Sequence, residues 1–396
     1  MRVAMVACSY YETDARIRGA AEALIHRGHR VDFLCLVDPG SRVARRAGLL
    51  RFYRLPVSRE RGKGARYAFK YGIFFLWTLG LLSWLGVRRR YGVVYVHNMP
   101  NFLVFAAVVP KITGARILLD VHDPAPELLA AIRGGRLPAR LWRLVRAEER
   151  VSLGFADALM TVNESMRHRL VAVAPRSVPI TVVMNLPDPD TFGSGDGVSQ
   201  DARDQRLVYS GTLSHRHGID LALVAVAMLA EDYPDLRLRV IGEGSEAAVL
   251  VAMASDLGIA QRVEFTGFVR VDEVPALVRG SIAGLSPHRA DDFGSLVFSM
   301  KVPEYVSLGL PVICAGTGTM RHYFSDEELL FFEPGDATDL ARAIRELLDD
   351  PASGEHRAER SRHRLKQLDW AAQRDTLVHA IESLARSGRS VPWRRA

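Results

Sequence analysis

The chain has 396 residues, 48% of them apolar and 24% charged, enough to bury more core than one typical domain, so two domains are expected and a disordered chain is excluded. Its three cysteines, Cys8, Cys35 and Cys314, are odd in number and far apart, which argues against a disulfide framework or a zinc site and fits a reducing cytoplasm. The net charge of +7 is a local patch: residues 42–90 hold thirteen Arg or Lys against the single acid Glu60, and they lack the interleaved readers a nucleic-acid groove would need.

In chain order, the short apolar run RVAMVAC at 2–8 is followed at once by polar residues, so it reads as a strand and not as an export signal. A helix-like stretch at 15–27 and the run RVDFLCLV come next. Inside the basic stretch lies YGIFFLWTLGLLSWLGV, residues 71–87, seventeen residues without a charge, closed by Arg88, Arg89 and Arg90. At ~1.5 Å per residue it reaches about 25 Å, short of the roughly 30 Å hydrocarbon core of a bilayer. Two readings stand: a helix that packs on a sheet and touches an anionic membrane surface, or a fully buried crossover helix beside a solvated Arg cluster.

The runs VVYVH at 93–97, RILLDVH at 116–122, ALMTV at 158–162 and ITVVMN at 180–185 continue the alternation of strands and helices, which implies a parallel sheet covered on both faces. Residues 186–205, rich in Pro, Gly, Asp and Ser, read as a linker. The rhythm restarts with RLVYSG, LRLRVIG, RVEFTG, AGLSP, PVICAG and LLFFEP. The expected organisation is therefore an α/β domain at 1–185, a linker, a second α/β domain at 206–370, and at 371–396 a helix free to cross back to the first domain, then a basic tail. Two such domains joined once imply a cleft, with ligands at the carboxyl ends of strands.

Gly211, Gly242, Gly244 and Gly267 follow successive strands of the second half, where glycine lets backbone approach a phosphate. Any one of them alone is better explained by sterics; their recurrence shifts the balance toward a ligand. The segment 286–320, SPHRADDFGSLVFSMKVPEYVSLGLPVICAGTGTM, places Ser299, Lys301 and Glu304 at the start of a helix. Ser299 and Lys301 suit a phosphate, and Glu304 suits a pair of sugar hydroxyls. The alternative is a capped helix with a solvated Lys301–Glu304 pair. In the first half, His97 and Asn98 follow VVYV and His122 and Asp123 follow RILLDV, while Asp14, Arg16 and Arg18 lie in the first strand-to-helix loop; polar residues at strand ends face a ligand or cap a helix.

With these segments the chain resembles the retaining glycosyltransferases of family 4, which have the GT-B fold of two facing Rossmann-like domains. The most specific matches are EYVSLGLPVI and the loop from Pro287 through Lys301. The resemblance implies a nucleotide diphosphate sugar, UDP- or GDP-linked, held by the second domain, with Glu304 on the ribose and Lys301 near the diphosphate. Thr212, Phe268, His288, Arg289 and Ser299 line the same side. Where many members carry two glutamates separated by seven residues, this chain has Leu296 and Glu304. Thr212 and His217 stand where Arg and Lys are common, so Arg216 becomes the partner of Lys301. His122 is then the expected catalytic residue of the first domain, with Asp14, Arg16, His97, Asn98 and Asp123 on the acceptor side.

The implied reaction is transfer to an acceptor hydroxyl with retention of configuration. No metal is expected, because no Asp-x-Asp pair lies at a suitable strand end. Lipid-linked and small-molecule acceptors both fit, in bacterial glycan, polysaccharide, glycolipid or natural-product biosynthesis. The place of action would be the cytoplasm, as a peripheral protein on the inner face of the plasma membrane in the lipid case. A nucleotide-sugar epimerase of the same fold and a non-catalytic scaffold stay open.

Overall fold

A computed structural model describes residues 1–12, 14–37, 44, 46–57, 65–135, 137–193 and 205–387. Residues 42, 43, 45 and 58–64 of the expected basic patch, 194–204 of the expected linker, and the basic tail 388–396 lie outside the described residues. The chain forms two units, Met1–Asn185 with Ala371–Ala396, and Leu186–Trp370.

The first unit is built on β1 (Arg2–Tyr10), β2 (Arg30–Val37), β3 (Arg46–Ala47), β4 (Leu50–Pro56), β5 (Val93–His97), β6 (Arg116–Val121), β7 (Ala158–Thr161) and β8 (Ile180–Val182). They form one sheet in the order β3-β4-β2-β1-β5-β6-β7-β8. All pairs are parallel except β3 with β4. The central strands read as unbroken apolar runs because helices cover both faces, and all five residues of β5 are buried. β3 and β4 were not expected: they fall within the Arg-rich stretch, where charge hides the alternation of buried Leu50 and Phe52 with exposed Arg51. The apolar run at 71–87 lies in the helix Ala65–Arg89, which buries Phe74, Thr78, Leu82 and Leu85 and packs on the helical segment Asn101–Ile112. The helix Trp370–Ser387 returns Leu377, Val378 and Ile381 to the core of this unit.

Three helices of this unit are tied by a buried ion cluster. Arg169 donates to both oxygens of Glu127 at 2.9 and 2.6 Å and to both of Glu149 at 2.8 and 2.9 Å. Glu149 is wholly buried, and burial pushes its carboxyl above the ordinary range despite Arg169. Arg169→Met is expected to destabilise the unit by about 3–5 kcal/mol, since it strands the Glu149 charge; a lowered urea midpoint with an unchanged slope checks this.

The second unit carries β9 (Arg206–Ser210), β10 (Arg237–Ile241), β11 (Val263–Gly267), β12 (Ala283–Ser286), β13 (Val312–Ala315) and β14 (Leu330–Phe332) in one parallel sheet of order β11-β10-β9-β12-β13-β14. The order reverses direction between β9 and β12, and the crevice at the carboxyl ends of those two strands is where this architecture binds ligands. Within the stretch expected as a linker, Pro189–Phe192 forms a helical turn packed on the helix Lys301–Ser307, and Phe192 is buried.

Candidate functional site

In the second unit the loops after β9, β10 and β12 meet. Gly211 N donates to Ile241 O at 2.8 Å and Leu213 N to Glu243 O at 2.9 Å, so the ladder between β9 and β10 runs on past both strands. A Cβ at Gly242 would lie 2.0 Å from Gly211 O, and one at Gly244 would lie 1.9 Å from Leu213 O. Loop-on-loop packing alone therefore requires a glycine at both positions. Gly211 differs, because at φ +140° its open side faces the Lys301 side chain, with Cε 2.8 Å from where a Cβ would stand.

Lys301 opens the helix Lys301–Ser307, with its Nζ 5.0 Å from the centre of the Tyr209 ring, and Glu304 lies one turn on. Neither side chain makes a hydrogen bond or ion pair with a described residue, and both are half-buried. Burial pushes Lys301 down to about 8, Glu304 opposing and Arg216 adding to the shift. Burial likewise pushes Glu304 up to about 7, against the pull of Lys301. A cation and a carboxylate thus sit partly desolvated and unmatched among the described residues, an arrangement common in binding sites. Arg216 is a second cation without an ion pair among the described residues, its guanidinium 5.2 Å from the Phe293 ring centre.

The remaining donor-side expectations divide. Ser299 neither caps the helix nor meets solvent: it is buried, and its Oγ accepts from Ser286 Oγ at 2.8 Å, while that serine pairs with His288 Nδ1 at 3.2 Å. Ser286 thus links Ser299 to His288. His288 and His217 meet edge to face at 5.0 Å. Burial, then the charge of Lys301, lowers both, His217 to about 3, so each offers a neutral ring. Arg289 pairs with Asp220 at 2.5 Å. Thr212 and Phe268 are exposed beside these loops. Leu296 is half-buried in the turn Gly294–Leu296.

The first unit assembles a different cluster at the ends of β5 and β6. Asp120, which the sequence reading passed over, is buried in β6, and its Oδ2 accepts from Tyr95 Oη at 2.5 Å. The same oxygen lies 3.0 Å from His122 Nε2 and 3.4 Å from His97 Nδ1, each off the line of a straight hydrogen bond. Burial opposes the Asp120 charge, but His122 and then His97 outweigh it and hold the carboxyl well below its ordinary range. Burial lowers His97 in spite of Asp120. His97, Asp120 and His122 also bring three metal-capable atoms within 4.8 Å of one another. Tyr95 already donates to the carboxylate oxygen that the two histidines share.

Asn98 does not reach outward. Its Oδ1 accepts from His122 N at 2.9 Å and its Nδ2 donates to Asp123 O at 2.7 Å, so it clamps the loop that carries His122. Asp123 is half-buried in that loop. Asp14 and Arg16 are paired at 3.2 Å; burial opposes the Asp14 carboxylate, and Arg16 beside it holds it below its ordinary value. The signal that could have found Asp120 is an acid inside an otherwise apolar strand, two residues before His122 and on the same face.

Residues 13–185 match the family model for a glycosyl transferase 4-like domain, and residues 198–366 match that for glycosyl transferases group 1. The chain is 27% identical over 353 residues to the 2-deoxystreptamine glucosyltransferase of Streptomyces kanamyceticus, covering 84% of this chain and 88% of that one. It is 26% identical over 317 residues to the glycogen synthase of Mycobacterium tuberculosis, covering 74% and 72%. Among solved structures, sucrose-phosphate synthase from Thermosynechococcus elongatus aligns with a TM-score of 0.79 at 17% identity over 98% of this chain and 100% of that one. Anabaena HepE in complex with UDP-glucose aligns at 0.71 with 14% identity over 97% and 100%. Identities this low speak for the fold alone.

Proposed function

We propose that this chain, which belongs to the family 4-like glycosyltransferases and has the GT-B fold, passes a sugar from a nucleoside diphosphate sugar to an acceptor hydroxyl with retention of configuration and without a metal. That it is a glycosyltransferase of the GT-B type follows from the family. The donor class rests on one observation: among the described residues Lys301 and Arg216 stand as unpaired cations around the Gly211 loop at the switch point of the second sheet, with the unmatched carboxylate of Glu304 one helical turn from Lys301.

The two cations suit the diphosphate, and the Glu304 carboxylate suits a pair of ribose hydroxyls, which donate to it. Neutral His217 and His288 add hydrogen-bonding groups without weakening the positive field. When the bond from the anomeric carbon to the diphosphate breaks, the negative charge that develops on the leaving oxygen is stabilised by Lys301 and Arg216. The acceptor oxygen bonds to the anomeric carbon on the same face, and its proton passes to the leaving phosphate oxygen. His122 offers a hydrogen bond to an acceptor hydroxyl bound to the first unit. The Anabaena protein of the same fold holds UDP-glucose, which makes uridine the first base to test.

The test is calorimetric titration with UDP, GDP and TDP, followed by NMR of the product formed from the matching nucleotide sugar, with and without EDTA. Micromolar binding of one nucleotide, about −8 kcal/mol, is expected, with a product of unchanged anomeric configuration in both conditions. An inverted product, activity lost to EDTA, or a free sugar isomer released without an acceptor would each overturn the corresponding part of the reading.

A further inference from the structure

From Phe69 to Arg89 the helix Ala65–Arg89 is apolar on both of its faces, although the described residues cover only one. Phe74, Thr78, Leu82 and Leu85 point into the unit, where they are wholly buried. On the other side Phe69, Ile73, Leu76, Trp84 and Val87 are 68%, 39%, 66%, 52% and 63% exposed. Their spacing of four, three, eight and three residues, with exposed Gly80 filling the gap, draws one straight stripe. A helix on the surface of a soluble domain carries polar residues there. From Phe69 to Val87 the stripe is about 27 Å long at ~1.5 Å per residue. The helix cannot also span a bilayer, because its inner face is held by Asn101–Ile112.

Charge identifies the occupant. The described stretches 46–57 and 65–90 contain no acid. At the end of the stripe Arg88 and Arg90 are exposed, with the Arg88 guanidinium 4.2 Å from the Trp84 ring centre, a tryptophan and arginine pair suited to the headgroup level. We propose that this helix lies flat on an anionic bilayer, with Phe69, Ile73, Leu76, Trp84 and Val87 sunk among the acyl chains and Arg88 and Arg90 on lipid phosphates. The enzyme would then act at the inner face of the plasma membrane, where lipid-linked acceptors reside. The inference stands apart from the donor site: a protein that binds nucleotide and ignores vesicles overturns it alone.

The experiment is flotation of the full chain with vesicles of phosphatidylcholine, alone and with phosphatidylglycerol. The wild type is expected to float with the anionic vesicles. Arg88→Ser with Arg90→Ser should lower the anionic partition by roughly fivefold per arginine. Arg89 is left intact, since it pairs with the buried Asp32 at 2.7 Å and its loss would strand that charge. Leu76→Ser with Trp84→Ser and Val87→Ser should abolish flotation while melting like the wild type. If that variant does not fold, quenching of wild-type fluorescence by brominated lipid, reduced in Trp84→Phe, carries the same test. A wild type that stays with the free protein overturns the proposal. So does a wild type that light scattering shows to be a dimer without lipid and that Leu76→Ser converts to a monomer, because a second copy would then cover the stripe.

Discussion

Glu304→Gln is expected to weaken nucleotide binding by roughly 10–150-fold and, at pH 8, to stabilise the fold by about 1–3 kcal/mol. The two effects share one cause. Burial raises the Glu304 carboxyl from 4.5 to about 7, so the folded protein holds a proton that the unfolded chain has released. Stability contributed by this group is therefore lost as pH rises through that interval, and the penalty is complete above about pH 7. Gln carries no such penalty and melts a few degrees higher at pH 8, with no gain at pH 4. Lys301, lowered to about 8, behaves in the mirror sense: its penalty is felt while it is charged and fades as pH rises. In the free protein, affinity for a nucleoside diphosphate should peak between these two values, with Glu304 ionised and Lys301 still protonated. Glu304→Gln removes the dependence on the acid side, and Lys301→Met removes that on the alkaline side. Differential scanning fluorimetry beside calorimetry at pH 6, 7, 8 and 9 reads both effects. A lower melting point at pH 8, with affinity intact, would mean that Glu304 serves the fold and not a ligand.

Much of this arrangement was legible in the residues because parallel strands buried on both faces leave short, unbroken apolar runs. VVYVH coincides with β5, and RILLDV with β6. β4 was hidden because LRFYRLP sets Arg51 and Arg54 against Leu50 and Phe52, and charge suggests a patch where a half-covered strand stands next to the short edge strand β3. The loop from Pro287 to Lys301 announced its chemistry through residue type, but type alone does not say what a side chain already holds. Arg289 is paired with Asp220, supplied by a distant segment, and the Ser299 oxygen accepts from Ser286. Gly242 and Gly244 were ambiguous for a related reason, since an adjoining backbone and an incoming phosphate make the same demand for a missing Cβ.

The cluster around Asp120 leads to the second large effect. Asp120→Asn is expected to slow transfer by about 10–100-fold without changing nucleotide affinity, because every group it touches belongs to the first unit. The carboxylate only accepts, so it holds Tyr95 as a donor and draws the N–H edges of His122 and His97 toward one oxygen. An amide presents donors as well as an acceptor, and where its NH2 meets Nε2 of His122 the ring must carry its proton on Nδ1. Asn185 Nδ2 approaches that Nδ1 at 3.5 Å, so the reversed tautomer would bring two donors together. Tyr95→Phe, which removes one hydrogen bond and no charge, should cost only about fivefold. Asp120 is on this account a positioning residue, acting through His122. The decisive comparison is the double variant Asp120→Asn with His122→Ala, which should be no slower than His122→Ala alone. Fully additive losses would mean that Asp120 serves the sheet and that His122 draws its orientation from elsewhere.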